Sequence, residues 1–166
     1  PSWDLAQPFR TLAHNGEINT VKGNINWMKI HEQDMSSSLF KNVKDLKPVI
    51  RSTSDSGALD NVFELLIHSG KLAPLIKLMM IPDAWSKRSK TVPKNHQDLF
   101  NFLNSTIEPW DGPAAICATD AKWVLASSDR NGLRPLRYLI TSDNLFFAGS
   151  ESGMIKIPEE KIIEKG

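Results

Sequence analysis

Apolar residues follow two patterns along the chain, a helical spacing in its middle and short separated runs near its end. The clearest helix lies in the string STSDSGALDNVFELLIHSGK, whose apolar positions share one helical face: Leu59, Val62, Phe63, Leu66 and Ile67. Ser54 or Asp55 can cap the start of this helix, and Gly70 can end it. The pattern therefore predicts an amphipathic helix between Ser54 and Gly70.

Weaker signals predict further elements on either side of this helix. The segments LAPLIKLMM and QDLFNFLNS are predicted to be helices, the first with Pro74 in its first turn. Residues 8–13 are predicted to form a short strand that runs into an Asn-Gly pair, followed by a helix that Thr20 can cap. The serine-rich and lysine-rich stretch from Ser36 to Pro48 is expected to be a surface connection.

After Pro109 the pattern changes to short apolar runs separated by Asp, Asn and Gly. The runs AAICATD, KWVLASSD, LRYLITSD and LFFAGSES are predicted to be consecutive strands of a meander. The chain begins at Pro1 without a methionine and ends in the charged string IPEEKIIEKG. We therefore expect a helical middle, a β-rich end and a polypeptide that is a fragment of a longer one.

Composition narrows the class of protein without naming a partner. With 166 residues, of which 40% are hydrophobic and 23% charged, the chain can bury the core of one domain. Lys and Arg total 20 against 19 for Asp and Glu, which gives no electrostatic reason to expect nucleic acid or an anionic membrane as a partner. No apolar run approaches the roughly 20 residues that span a bilayer, so a soluble, cytoplasmic protein is expected.

The single cysteine, Cys117, limits the chemistry that this chain can carry. One thiol excludes an intrachain disulfide framework and a cysteine cluster for zinc. We interpret it as a buried, inert thiol.

Asn15 and Gly16 form the first candidate site. A side-chain amide beside an unhindered backbone N–H can aim two donors at one point, which is what stabilisation of a tetrahedral oxyanion requires. One such donor typically lowers the barrier by about 3 to 4 kcal/mol. The alternative is that Asn-Gly is a common tight turn, and that the preceding His14 is a structural histidine rather than a base.

Two further groups have both a structural and a functional interpretation. Asp55 at a helix start is explained by capping and by the helix dipole, but a carboxylate there can also bind a substrate ammonium group. In SSDRNGLRPL the string DRNG suits a turn, while Arg134 and Arg137 can hold carboxylates or cover apolar surface.

Taken together and in order, six strings resemble one family closely. They are HNGEINTVKGNINWM, SDSGALDNVFELL, MMIPDAW, EPWDGPAAICATD, DRNGLRPLRY and AGSESG. Over residues 1–166 the chain resembles the amino-terminal glutaminase domain of the large subunit of glutamate synthase. The shorter motifs HNG, SDS, DGPAA, D-x-x-G-x-RPL and SES are similar to those of class II glutamine amidotransferases in general.

This resemblance implies a fold and a set of residue roles. The implied fold is α+β, a four-layer αββα sandwich of the amino-terminal nucleophile hydrolase type. Residues 1–166 would form a single partial domain, its distal part, without the leading strands and the nucleophile. In this family an amino-terminal cysteine attacks the side-chain amide of glutamine, with its own α-amino group as the base. By motif, Asn15 and Gly16 would form the oxyanion hole and Asp55 would bind the substrate's α-ammonium group.

The same resemblance implies that half of the site lies outside this chain. The nucleophilic cysteine is expected far upstream, and the arginine that pairs with the substrate carboxylate just before Pro1. Cys117, in a predicted interior strand, cannot replace that nucleophile. The isolated chain is therefore expected to have no glutaminase activity.

For the whole enzyme, the resemblance implies hydrolysis of L-glutamine to glutamate and ammonia during nitrogen assimilation. The ammonia would pass through a tunnel to a synthase site that forms glutamate from 2-oxoglutarate with FMN and an iron–sulfur cluster. This chain is expected to bind neither cofactor and no metal. The implied partners are the remaining synthase domains and a small reductase subunit, with no nucleic acid and no membrane.

Two other hypotheses remain open at this point. The first is a non-catalytic amino-acid-binding or regulatory module that keeps Asp55 but has lost the nucleophile. The second is that Pro1 is itself a catalytic amino terminus, because a proline amine acts in this way in tautomerases. A mature protein that begins with cysteine would favour the glutaminase over both.

Overall fold

The computed structural model describes residues 2–85 and 90–166. Within those ranges the helices are Val21–Asp34 (α1), Asp55–His68 (α2), Ala73–Met80 (α3) and Lys94–Asn104 (α4). The strands are Leu12–Gly16 (β1), Ala114–Thr119 (β2), Val124–Ser128 (β3), Arg137–Thr141 (β4), Phe146–Gly149 (β5) and Ile162–Lys165 (β6). Short 3₁₀ turns span Trp3–Leu5, Val43–Leu46 and Glu159–Lys161. Every helix in these ranges is too short or too polar to cross a membrane.

The strands form two antiparallel sheets of three strands each, with the orders β1-β2-β3 and β5-β4-β6. The expected α+β class is thereby confirmed. Helices α1, α2 and α3 contribute to a core of buried apolar side chains that covers one face of the first sheet, through Leu12 of β1 and Ile116 of β2. The second sheet approaches the first where β5 contacts β2.

The helical predictions are largely confirmed. Helix α2 is present, and its N-cap is Ser54 rather than Asp55, because the Ser54 hydroxyl accepts the Gly57 N–H at 3.0 Å. Helix α3 holds Pro74 in its first turn, as predicted. Helix α4 begins at Lys94, three residues before the predicted segment. Thr20 precedes α1, but its hydroxyl bonds to Asn24 instead of capping a backbone N–H.

The strand predictions need three corrections. Strand β1 begins at Leu12, not at residue 8, and includes Asn15 and Gly16 instead of ending before them. The predicted meander is wrong, since β3 and β4 lie in different sheets. The tail forms an unpredicted strand, β6, whose pairing continues past its end because Tyr138 and Gly166 exchange backbone hydrogen bonds at 2.9 and 3.0 Å.

The end of β1 and the start of β2 approach each other at two glycines. The Glu17 N–H donates to the Pro113 carbonyl at 2.9 Å. A Cβ on Gly16 (φ +151°) would lie 1.9 Å from the Pro113 carbonyl oxygen, and one on Gly112 (φ +146°) would lie 2.1 Å from the Glu17 carbonyl oxygen. Both backbones occupy a region that side chains disfavour, so glycine is required at each position for two reasons.

This close approach predicts that Gly112→Ala destabilises the domain by about 3 kcal/mol, because the new methyl would collide with rigid backbone at a strained φ. Gly23→Ala is the matched control, since Gly23 lies in α1 at a position where an added Cβ would meet open space. It is expected to stabilise the domain by about 0.5 to 1 kcal/mol. Both changes in stability are measured by using limited proteolysis to monitor the unfolding of this domain in the complete polypeptide. Equal effects of the two variants would contradict the requirement for glycine at position 112.

Candidate active site

The candidate residues meet where β1 ends, beside the start of α2. Gln7 binds the outer edge of β1: its side chain accepts the His14 N–H at 2.6 Å and donates to the His14 carbonyl at 2.7 Å. Backbone groups of an antiparallel strand point alternately to its two edges. The N–H of Gly16 therefore points outward on the Gln7 side, away from β2.

The Asn15 side chain lies on the opposite face of β1 from His14. Its Nδ2 donates to the Ser150 hydroxyl oxygen at 2.8 Å, across a sequence separation of 135 residues. Ser150 is buried, with 7% of its surface exposed, and it follows β5 of the second sheet. Because an amide nitrogen carries two hydrogens, Asn15 retains a second N–H for another acceptor.

Asp55 is the first residue of α2, and it is tied to the loop that follows β1. Its Oδ2 accepts the Ile18 N–H at 2.8 Å, and it lies 4.0 Å from Nδ1 of His14. Its side chain remains 24% exposed. Since Ser54 caps the helix, the Asp55 carboxylate is not needed for that purpose, and it can accept a further donor from solvent or from a ligand.

His14 is fully enclosed beneath these groups. Its Nδ1 lies 2.7 Å from the Ser56 hydroxyl, whereas its Nε2 is buried without a hydrogen-bond partner among the described residues. Burial lowers the pKa of His14 below its ordinary value of 6.5, although Asp55 acts in the opposite direction. A neutral, enclosed imidazole supports the structural interpretation of His14.

Two buried carboxylates that the sequence analysis did not single out fix the strands of the site. Asp60 of α2 accepts the Thr11 N–H at 2.9 Å, the Thr11 hydroxyl at 2.8 Å and the Leu12 N–H at 3.1 Å. It thereby joins α2 to the start of β1. A carboxylate beside Leu59 and Val62 on an apolar helix face was the signal that could have revealed it.

Asp129, after β3, plays the same part for β2. Its carboxylate accepts backbone N–H groups at 2.9 to 3.0 Å from Ala114, Asn131, Leu133 and Arg134. Burial alone would raise the pKa of Asp129, but these donors outweigh burial and lower it. The DRNG string is thus a turn, as one interpretation held, and the turn also fixes the residue opposite Gly16, which is Ala114.

Among the remaining candidate groups, Arg134 lies close enough to His14 that its positive charge helps to lower the pKa of that histidine. Arg134 lies 3.7 Å from a carboxylate of this chain, that of Glu151. Cys117 is half-buried in β2, where burial raises the pKa of its thiol. Pro1, proposed above as an alternative catalytic terminus, lies outside the described residues.

Comparison with known proteins places the chain in a family. All of residues 1–166 match a family model described as "Glutamine amidotransferases class-II". The chain belongs to the class II glutamine amidotransferases. It is 57% identical over 168 residues to a protein named glutamate synthase [NADPH] large chain from Azospirillum brasilense, covering 100% of this chain and 11% of that protein.

Further relatives of this amidotransferase segment carry related names. A protein named glutamate synthase [NADH] from Saccharomyces cerevisiae is 47% identical over 169 residues, covering 100% of this chain and 8% of that protein. A protein named ferredoxin-dependent glutamate synthase from Antithamnion sp. is 43% identical over 169 residues, covering 100% of this chain and 11% of that protein. The chain therefore spans about a tenth of the length of the curated relatives that it matches.

The lowered pKa of His14 predicts that this amidotransferase segment loses stability as the pH falls below 6.5. In that range the unfolded chain binds a proton that folded His14 does not yet accept, so the free energy of unfolding decreases until the folded pKa is reached. His14→Asn keeps a polar group near Ser56, and is expected to flatten this part of the pH profile. Limited proteolysis across a temperature series from pH 8 to pH 5 measures the effect.

His68→Asn is the control for the pH profile, because the His68 side chain is 64% exposed at the end of α2. It is expected to leave the profile unchanged. If the free energy of unfolding decreases equally in wild type and in His14→Asn as the pH falls, the assignment of this pH dependence to His14 is refuted.

Proposed function

We propose that this chain is the distal part of a glutaminase domain that hydrolyses the side-chain amide of L-glutamine to glutamate and ammonia. The observation that carries the proposal is the arrangement at the end of β1. There, the Asn15 amide and the outward N–H of Gly16 lie on consecutive residues, and Asp55 is tied to the loop that follows. Membership of the class II glutamine amidotransferases supports the same reaction.

In the proposed mechanism a cysteine thiolate attacks the amide carbon of glutamine, and the carbonyl oxygen becomes an oxyanion. Asn15 and Gly16 each donate one N–H to that oxygen, so negative charge develops against two donors that are already in place. The nucleophile is proposed to be the amino-terminal cysteine of the mature protein, with its α-amino group as the base. The thiol of Cys117 does not qualify, since it lies within the central strand of the first sheet with a raised pKa.

Asp55 is proposed to bind the α-ammonium group of glutamine. Its carboxylate is already oriented by the Ile18 N–H, and its exposed part can form a charge-assisted hydrogen bond with the ammonium group. This interaction is remote from the reacting amide. It therefore contributes mainly to binding of the substrate rather than to the barrier of the chemical step.

The proposal extends to the complete protein, by analogy with the relatives named above. We propose a glutamate synthase, an oxidoreductase in which the ammonia feeds reductive synthesis of glutamate from 2-oxoglutarate in the cytoplasm. Residues 1–166 would be one partial domain of a four-layer αββα sandwich, inactive by itself, with the other synthase domains and a small reductase subunit as partners. FMN and an iron–sulfur cluster would belong to those other domains, because a cluster needs about four thiolates and this chain has one cysteine.

Asn15→Ala in the complete polypeptide is expected to lower glutamine turnover on the order of 100-fold, because one oxyanion donor is lost. Synthesis supplied with free ammonia is expected to persist, since that reaction bypasses the glutaminase site. Asn26→Ala, on the exposed face of α1, is the matched control and should change neither rate. Unchanged glutamine turnover in Asn15→Ala would rule out the proposed role.

Asp55→Asn is expected to raise the KM for glutamine about tenfold or more, because the charge that binds the ammonium group is removed. The substituted amide oxygen can still accept the Ile18 N–H, so thermal stability should change little. Asp34→Asn, exposed at the end of α1, controls for the loss of one negative charge. A large loss of stability with normal kinetics would instead show that the role of Asp55 is structural.

A further inference from the structure

We propose that Ser150 is a positioning residue for the glutaminase reaction, whose hydroxyl group fixes the orientation of the Asn15 amide. This inference rests on the proposed function, because it requires Asn15 to donate to the oxyanion. Its basis is the 2.8 Å hydrogen bond from Asn15 Nδ2 to Ser150 Oγ. Ser150 itself is not proposed to touch the substrate.

An asparagine amide needs such a partner if it is to serve as an oxyanion donor. Rotation about its terminal side-chain bond is broad and roughly two-fold, and a half-turn replaces the N–H group with a carbonyl oxygen. A carbonyl oxygen turned toward the oxyanion would repel the developing charge. The bond to Ser150 uses one hydrogen of Nδ2 and leaves the other in a defined direction.

The Ser150 hydroxyl is a fixed acceptor, because Ser150 is buried with 7% of its surface exposed. Asn15 itself is exposed at the end of β1, so water can replace a lost acceptor, but without the fixed direction that the Ser150 hydroxyl provides. The amide then samples other orientations, and only part of the population presents its N–H correctly.

The chain segment that carries Ser150 is connected to groups that also fix Gly16. The neighbouring Glu151 approaches Arg134 at 3.7 Å, and the Arg134 backbone N–H binds Asp129 at 2.9 Å. Asp129 also accepts the N–H of Ala114, the residue opposite Gly16 in the sheet. These contacts form a continuous path between the two proposed donors, Asn15 and Gly16. Ser150 is the residue of that path that bonds to the Asn15 side chain.

Ser150→Ala and Ser150→Cys in the complete polypeptide test this inference. Cysteine keeps the shape of the side chain with a slightly larger atom but is a weak acceptor, so both variants are expected to lower kcat for glutamine hydrolysis by about fivefold to tenfold. The KM for glutamine should stay within about twofold, because an oxyanion donor acts in the transition state. Ser152→Ala, in the exposed part of the same loop, is the control and should leave kcat unchanged.

A double mutant separates positioning from a general effect on the fold. If Ser150 acts through Asn15, Ser150→Ala should lower kcat no further in a protein that already carries Asn15→Ala. A further loss of the same size in that background would overturn the inference, and so would a normal kcat in Ser150→Ala alone.

The same experiments distinguish a failure of the positioning role of Ser150 from a failure of the proposed function. Normal turnover in Asn15→Ala, or an intact protein without glutaminase activity, would refute the proposed function. A 100-fold loss in Asn15→Ala with no effect of Ser150→Ala would refute the positioning role alone. Independently of activity, a crystal structure of Ser150→Ala in which the Asn15 amide keeps its orientation would overturn it.

Discussion

The hydrogen bond from the Glu17 N–H to the Pro113 carbonyl is the contact on which the geometry of the site depends. It joins the end of β1 to the segment before β2, at a distance that admits only glycine at positions 16 and 112. Further bonds in the same place reinforce it, since the Asp111 N–H donates to the Thr20 hydroxyl at 3.0 Å. The backbone N–H proposed to stabilise an oxyanion is thus set by packing of backbone against backbone, which leaves it little freedom to move.

Two buried carboxylates complete this frame, and among residues 2–85 and 90–166 no charged side chain bonds to either of them. Asp60 and Asp129 each accept backbone N–H groups at the start of a strand, β1 and β2 respectively. An ionised carboxylate is costly to bury, and several N–H donors are what makes its burial tolerable. Each carboxylate therefore specifies one arrangement of its strand, because a shift would leave a buried charge without donors. The strand that carries Asn15 and Gly16 is positioned in this way at its start and by Pro113 beyond its end.

The parts of the fold that sequence patterns predicted are those with a local cause. Helix α2 is predicted by one apolar stripe, a serine cap and a terminal glycine, which all lie between Ser54 and Gly70. The division of strands between two sheets was not predicted, because each apolar run looks the same whichever sheet it joins. Strand β6 was not predicted for a related reason. It pairs with β4 over a long sequence separation, and the charged tail has no local pattern that indicates this pairing.

The same distinction applies to the site. Asn15, Gly16 and Asp55 were selected from their residue types and from the resemblance of their motifs to those of a family. Ser150 lay within a quoted motif, but its contact with Asn15 spans 135 residues and has no local signature. The choice between Ser54 and Asp55 as the helix cap depended on hydrogen-bond geometry, which the two residue types leave open.

The burial of His14 gives the proposed role of Asp55 a further physical basis. The two side chains lie 4.0 Å apart, so a protonated His14 would place a positive charge next to the carboxylate. That charge would compete with the α-ammonium group of a substrate for the same carboxylate. Because burial lowers the pKa of His14, the imidazole stays neutral near pH 7 and leaves the negative charge of Asp55 unshared. The histidine before Asn15 thus supports binding of an ammonium group by remaining uncharged, and it needs no catalytic role of its own.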